Sequence, residues 1–109
     1  MPGSDATLRK VELKMSASGA NQAVVKIDGW MRVMANGDTY QFDVEEGYCF
    51  DLELVCLGNA GAKATLKYKA LKTKLKTKSC STGKADSSLS VSVKNNESVA
   101  YGLVAIKVA

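Results

Sequence analysis

Hydrophobic and polar residues alternate with a period of two along most of the chain, a pattern that belongs to extended backbone rather than to a helix. Over residues 22–35, Ala23, Val25, Ile27, Gly29, Met31 and Val33 fall on one face and Val24, Lys26, Asp28, Trp30, Arg32 and Met34 on the other. This predicts one long strand, bent or bulged at Gly29. Asn36-Gly37 has the residues of a tight type I′ turn, and residues 38–44 return with Tyr40, Phe42 and Val44 aligned, so a hairpin is expected here.

Residues 48–57 set Phe50, Leu52, Leu54 and Cys56 against Cys49, Asp51, Glu53 and Val55, the pattern of a half-buried strand with a largely acidic outer side. Gly58-Asn59-Ala60-Gly61 reads as a loop that ends it, and residues 62–70 resume with Ala64, Leu66 and Tyr68 inward and Lys63, Lys67 and Lys69 outward. Residues 88–94 alternate Leu89, Val91 and Val93 with serines and a lysine, turn at Asn95-Asn96, and return as residues 98–108 in a second hairpin. That last strand is apolar on both sides, with Val99, Tyr101, Leu103 and Ala105 opposite Ala100, Gly102, Val104, Ile106 and Val108, so it is either central or covered by another subunit. A strand over residues 8–15 brings the count to seven or eight.

These elements predict an all-β, antiparallel β-sandwich of Greek-key or jelly-roll type, with a closed barrel as the runner-up. One domain spanning residues 1–109 is expected, with 1–6 as a flexible N-terminal segment. Residues 67–78 are ambiguous. Tyr68, Leu71 and Leu75 also follow helical spacing, whereas threonines at 73 and 77 and the alternating lysines favour a strand.

Charge changes the picture. Residues 1–54 carry 5 basic and 9 acidic side chains, a net of −4, while residues 55–109 carry 10 and 2, a net of +8. The total of +4 hides that division. On a strand, Lys72, Lys74, Lys76 and Lys78 would stand in a row about 7 Å apart, and Lys67 and Lys69 are further candidates for contact with a partner or an anion. Three readings compete for this row: a solvated defence against edge-to-edge aggregation, contact with the acidic face of a neighbouring copy, or binding of nucleic acid, a sulfated glycan or anionic lipid. Asp43, Glu45, Glu46, Asp51 and Glu53 would supply the complementary acidic face. Trp30, beside Asp28 and Arg32 and opposite the main apolar stripe, is a candidate aromatic contact for a sugar or a partner.

Candidate chemistry is sparse. The chain has no histidine, which removes Ser-His-Asp, Cys-His and histidine-metal arrangements. The carboxylates at 43, 45 and 46 and at 51 and 53 lack the spacing of an EF-hand, and Ser81-Thr82-Gly83-Lys84 lacks the first glycine and the closing hydroxyl residue of a phosphate loop. Asn96-Glu97-Ser98 matches a glycosylation acceptor only formally. Of three cysteines, Cys56 belongs to an apolar face and reads as a buried thiol, while Cys80 lies in a segment expected to be exposed; at most one bridge can form. No catalytic, cofactor or metal site is expected. No apolar run long enough to span a bilayer is present, and no secretory signal is legible, which favours an intracellular or virion-associated protein or one exported by another route. The resulting expectation is a non-enzymatic structural protein that packs against copies of itself or a larger scaffold, for instance in a virus particle or secreted assembly. The alternative is a recognition module for an extended anion or a carbohydrate, and a membrane-active role through a basic interfacial helix comes third.

Overall fold

The computed structural model describes residues 7–109, and the expectation for residues 1–6 lies outside them. Two long strands dominate it. β1 (Leu8–Ile27) and β4 (Phe50–Leu71) pair antiparallel along almost their whole length. The register slips between Ser18 and Gln22, where Gly19 takes φ +68° and, on β4, Gly61 takes φ +92°. Glycine adopts such angles without a Cβ penalty, so the ribbon bends here without ending. The expected loop at 58–61 is thus a bend inside one 22-residue strand.

The shorter strands line this ribbon. β2 (Trp30–Val33) pairs with the second half of β1, and β3 (Thr39–Glu45) with its first half. β6 (Ser88–Ser92) pairs with the second half of β4, β7 (Val99–Val108) with its first half, and β5 (Thr77–Ser79) extends the sheet beyond β7. One half therefore reads β3-β1-β4-β6 and the other β2-β1-β4-β7-β5, joined as a single open seven-stranded antiparallel sheet.

The ribbon is folded back on itself at its bend. Only four residues separate Glu45, at one end of the ribbon, from Phe50, at the other. The Phe42 and Phe50 rings meet edge to face with centroids 5.5 Å apart. Gly102 on β7 likewise lies against Leu89 and Val91 of β6. The result is an all-β, sandwich-like fold that is not closed into a barrel.

The inward sets expected from alternation hold except over the end of residues 22–35, where Met31 and Val33, expected on the apolar face with Ala23 and Val25, are exposed on the outer side. Val11, Leu13 and Met15, Ala23 and Val25, Phe50 to Cys56 at even positions, Ala64, Leu66 and Tyr68, and Ile106 and Val108 are all buried. The connections differ from expectation. Asp28 and Gly29 take φ +50° and +86°, the signature of a two-residue type I′ turn, so residues 22–35 form a hairpin between β1 and β2. At 35–38 only Gly37 has positive φ, the Asn36 side chain accepts a bond from Ala17 N (3.0 Å), and the segment steps along the edge of β1 from β2 to β3. The turn expected to make the first hairpin thus makes a step instead. The turn at Asn95-Asn96 forms, with Asn96 at φ +66°, but β6 and β7 pair with β4 rather than with each other.

Candidate interaction surfaces

The outer face of the β3-β1-β4-β6 half is polar. Lys10 stands opposite Asp43, Glu12 opposite Lys69, and Thr65 opposite Ser90. Lys10 and Asp43 are 3.2 Å apart, Lys69 and Glu12 3.8 Å, and Arg9 and Glu46 2.8 Å. In the same half Glu45 lies opposite Leu8, and in the other half Glu53 stands opposite Lys26 and Asp51 opposite Ala105. The proposed acidic face of Asp43, Glu45, Glu46, Asp51 and Glu53 is therefore dispersed. Charges that are segregated along the sequence become mixed in space, because antiparallel pairing of β1 with β4 lays the basic half of the chain beside the acidic half.

The lysines do not form one row either. Lys67 and Lys69 lie on the outside of β4, residues 72–76 form an irregular crossing with Lys72 at φ +56°, and the strand resumes only at Thr77. Residues 67–78 are thus neither a helix nor one strand. The side chains keep their alternation across the break, with Lys72, Lys74 and Lys76 exposed and Thr77 and Ser79 buried. Lys78 sits opposite Lys107 on the other outer face of the fold, whereas Lys67 sits opposite Lys14. Two pairs of like charge, on different faces, replace the continuous track.

Trp30 faces the side of the sheet that carries the core. The two-residue turn pairs it with Ile27, which resets the alternation by one position and moves it off the face opposite the apolar stripe. It lies at the open edge of the sandwich, 53% exposed, stacked on Tyr40 at 5.8 Å. Arg32 lies 4.1 Å from the same Tyr40 ring centre. Tyr40 in turn stacks on Phe42 at 6.1 Å, so Trp30 caps a line of rings that runs into the core at Phe50.

Asp28 ties the end of the ribbon together. Its carboxylate accepts bonds from Asp51 N (2.7 Å) and the Tyr48 hydroxyl (2.8 Å). The bond to Asp28 holds the Tyr48 phenol above its ordinary pKa. Beside it, a recess of about 300 Å³ is lined by Leu8, Phe42, Asp43, Tyr48 and Phe50. Cys49 is bridged to Cys80, with Cα atoms 6.2 Å apart, while Cys56 is a buried free thiol whose pKa burial raises. The bridge anchors the turn after β5, where Gly83 N donates to Ser79 O and Lys84 N to Thr82 Oγ1. Those amides are spent within the turn, unlike the free amides that cradle a phosphate.

The surface that alternation alone did not reveal is the outer face of the second half. Reading across the strands, Val33, Val24, Val55 and Tyr101 form one row. Met31, Lys26, Glu53 and Leu103 form the next, and Gln22, Leu57 and Val99 a third. Tyr101 is 71% exposed and Leu103 60%, and Met31, Val33 and Val99 are exposed with them. On one side of the bend the two long strands carry Lys, Ser, Thr and Glu outward; on the other, Val24, Val55 and Leu57 of these strands join Met31 and Val33 of β2 and Val99, Tyr101 and Leu103 of β7. The sequence did flag the doubly apolar last strand, but the face needed the pairing of β2, β1, β4 and β7 to assemble. Compared with known proteins, the chain matches no family model, no curated protein sequence and no solved structure.

Proposed function

We propose that this chain is a non-enzymatic assembly module that works by packing an apolar sheet face against a protein surface. The observation that carries this reading is the contiguous outer face of Val24, Val33, Val55, Val99, Tyr101 and Leu103. An antiparallel sheet open to water on one side normally alternates apolar-in with polar-out, as the other half of this molecule does. From strand spacing and residue rise the face spans roughly 400 Å², within the range where exposed apolar patches mark interaction sites. The Cys49–Cys80 bridge suits an oxidising setting, which favours the exported or particle-borne version of such an assembly. Light scattering coupled to size-exclusion chromatography over a wide concentration range tests the reading. Species heavier than the monomer are expected, and they disappear when Tyr101 and Leu103 are both replaced by lysine. A wild-type chain that stays monomeric at millimolar concentration and binds no apolar-surface dye at this face contradicts it.

A second reading, recognition of an extended anion, draws on one specific feature, the opposed Lys14 and Lys67 beside Lys69. Like charges directly opposite one another repel, and a bound sulfate or phosphate group relieves that repulsion. Retention on heparin that falls steeply with salt and is lost in Lys67→Gln supports this reading, and passage through heparin at low salt removes it.

A further inference from the structure

We infer that the partner for the apolar face is a second copy of this chain, packed face to face about a two-fold axis that runs along the seam between β1 and β4. The inference rests on the proposed assembly role and names its partner. A two-fold running between the two copies, parallel to both sheets and to their strands, places every outward residue of β1 over its cross-strand neighbour on β4 of the other copy. The register fixes those neighbours: Lys26 with Glu53, Val24 with Val55, Gln22 with Leu57.

The three rows Val33 to Tyr101, Met31 to Leu103 and Gln22 to Val99 contain one cation and one anion, with Asp51 beyond them at the end of β4, and this operation brings that cation and anion onto their opposites. Lys26 of one copy meets Glu53 of the other, and the reverse contact follows by symmetry. Val24 meets Val55. Farther from the axis, Met31 comes over Leu103 and Val33 over Tyr101, because β2 and β7 flank β1 and β4 at matching register. An isologous interface requires this kind of self-complementarity, and aligned sheets meet it with an angle of about 30° set by their twist.

An axis perpendicular to the sheet could only join edges, and a shift of one strand along the sheet would set Lys26 against an apolar residue and leave a charge unpaired. The charge pair therefore selects the axis as well as the partner. Two faces of roughly 400 Å² each fall below the size of stable specific interfaces and in the range of weak, transient ones, so the dimer is expected to be concentration-dependent rather than permanent.

The test uses two single charge reversals on the full chain. Lys26→Glu carries two carboxylates at the seam and Glu53→Lys two ammonium groups, so each meets its own kind in a homodimer and each complements the other. Analytical ultracentrifugation is expected to show a dimer for the wild type, at least a tenfold weaker homodimer for either variant, and recovery of the dimer in their equimolar mixture. Native mass spectrometry of the mixture is expected to show one copy of each variant per dimer. Circular dichroism and thermal melting of each variant establish that both remain folded, as substitutions on an outer face permit.

Homodimers of both variants as tight as the wild type, or a mixture that stays monomeric, overturn the inference. If association nevertheless disappears in the Tyr101→Lys, Leu103→Lys double variant, the assembly reading survives and only the axis is wrong. If that double variant associates as the wild type does, the face itself is not used and both fall.

Discussion

Gly58 and Ala62 approach so closely across the bend of β4 that a Cβ on Gly58 would stand 2.9 Å from the Ala62 Cβ. It would also lie 3.1 Å from the Gly19 carbonyl oxygen and 3.3 Å from the Ala20 Cα, both of them backbone of β1. The bend is therefore a place where two main chains touch with no side chain between them. Gly58→Ala is expected to destabilise the fold by about 1–3 kcal/mol, the usual cost of overpacking. Adding Ala62→Gly is expected to restore part of that loss, measured as a return of the urea midpoint.

The Cys49–Cys80 bridge closes a loop of 31 residues in sequence separation that contains all of β4. By loop-closure entropy, removing it in Cys49→Ser, Cys80→Ser is expected to cost about 3–4 kcal/mol. Reductant is expected to lower the wild-type unfolding free energy by a similar amount and to leave the double variant unchanged. Cys56, buried with its thiol pKa raised, is expected to react with a thiol reagent only as the molecule unfolds.

Tyr68 is buried, and its hydroxyl donates to Asp86 Oδ1 at 2.7 Å. Burial first, and then the bond to Asp86, drives its pKa well above the ordinary tyrosine value of 10.0. The folded state therefore holds the phenolic proton after the unfolded chain has released it. The stability tied to this group is complete below pH 10.0 and falls as pH rises above it, by up to about 1.4 kcal/mol per pH unit. Tyr68→Phe is expected to cost about 1–2 kcal/mol at neutral pH by leaving Asp86 without this donor, and to flatten the alkaline limb of the stability profile.

Lys14 and Lys67 face each other on adjacent strands of the polar half. Lys14→Glu converts a repulsive pair into an attractive one and is expected to raise stability by about 0.2–1 kcal/mol at low salt, with the gain shrinking at high salt. The same substitution is expected to abolish any retention on heparin.

Which residues point inward was legible wherever a strand kept its alternation. Phe50 to Cys56, Ala64 to Tyr68, and Leu89 to Val93 face the interior because extended backbone leaves them no other choice. What alternation lacks is any record of which strand lies beside which. Asp28-Gly29 and Asn36-Gly37 both have turn chemistry, and only the contest for the edge of β1 decides that the first makes a hairpin and the second a step. That decision also moved Trp30 to the other face. The charge division failed for a related reason, since Lys10 and Asp43, or Glu12 and Lys69, are brought together by pairing between distant segments. The apolar face was present in the sequence as Val24, Val55 and Tyr101, but 31 and 46 positions separate these residues in the chain and only register aligns them.

Because β1 and β4 each run through both halves of the ribbon, no cut across the molecule yields two pieces that could hold together alone. Neither half can nucleate fully before the other, and most of the pairings join residues far apart in sequence. Folding should accordingly be slow for a chain of this length, and unfolding should register as one concerted transition, with amide exchange on either side of Gly58 opening at the same free energy.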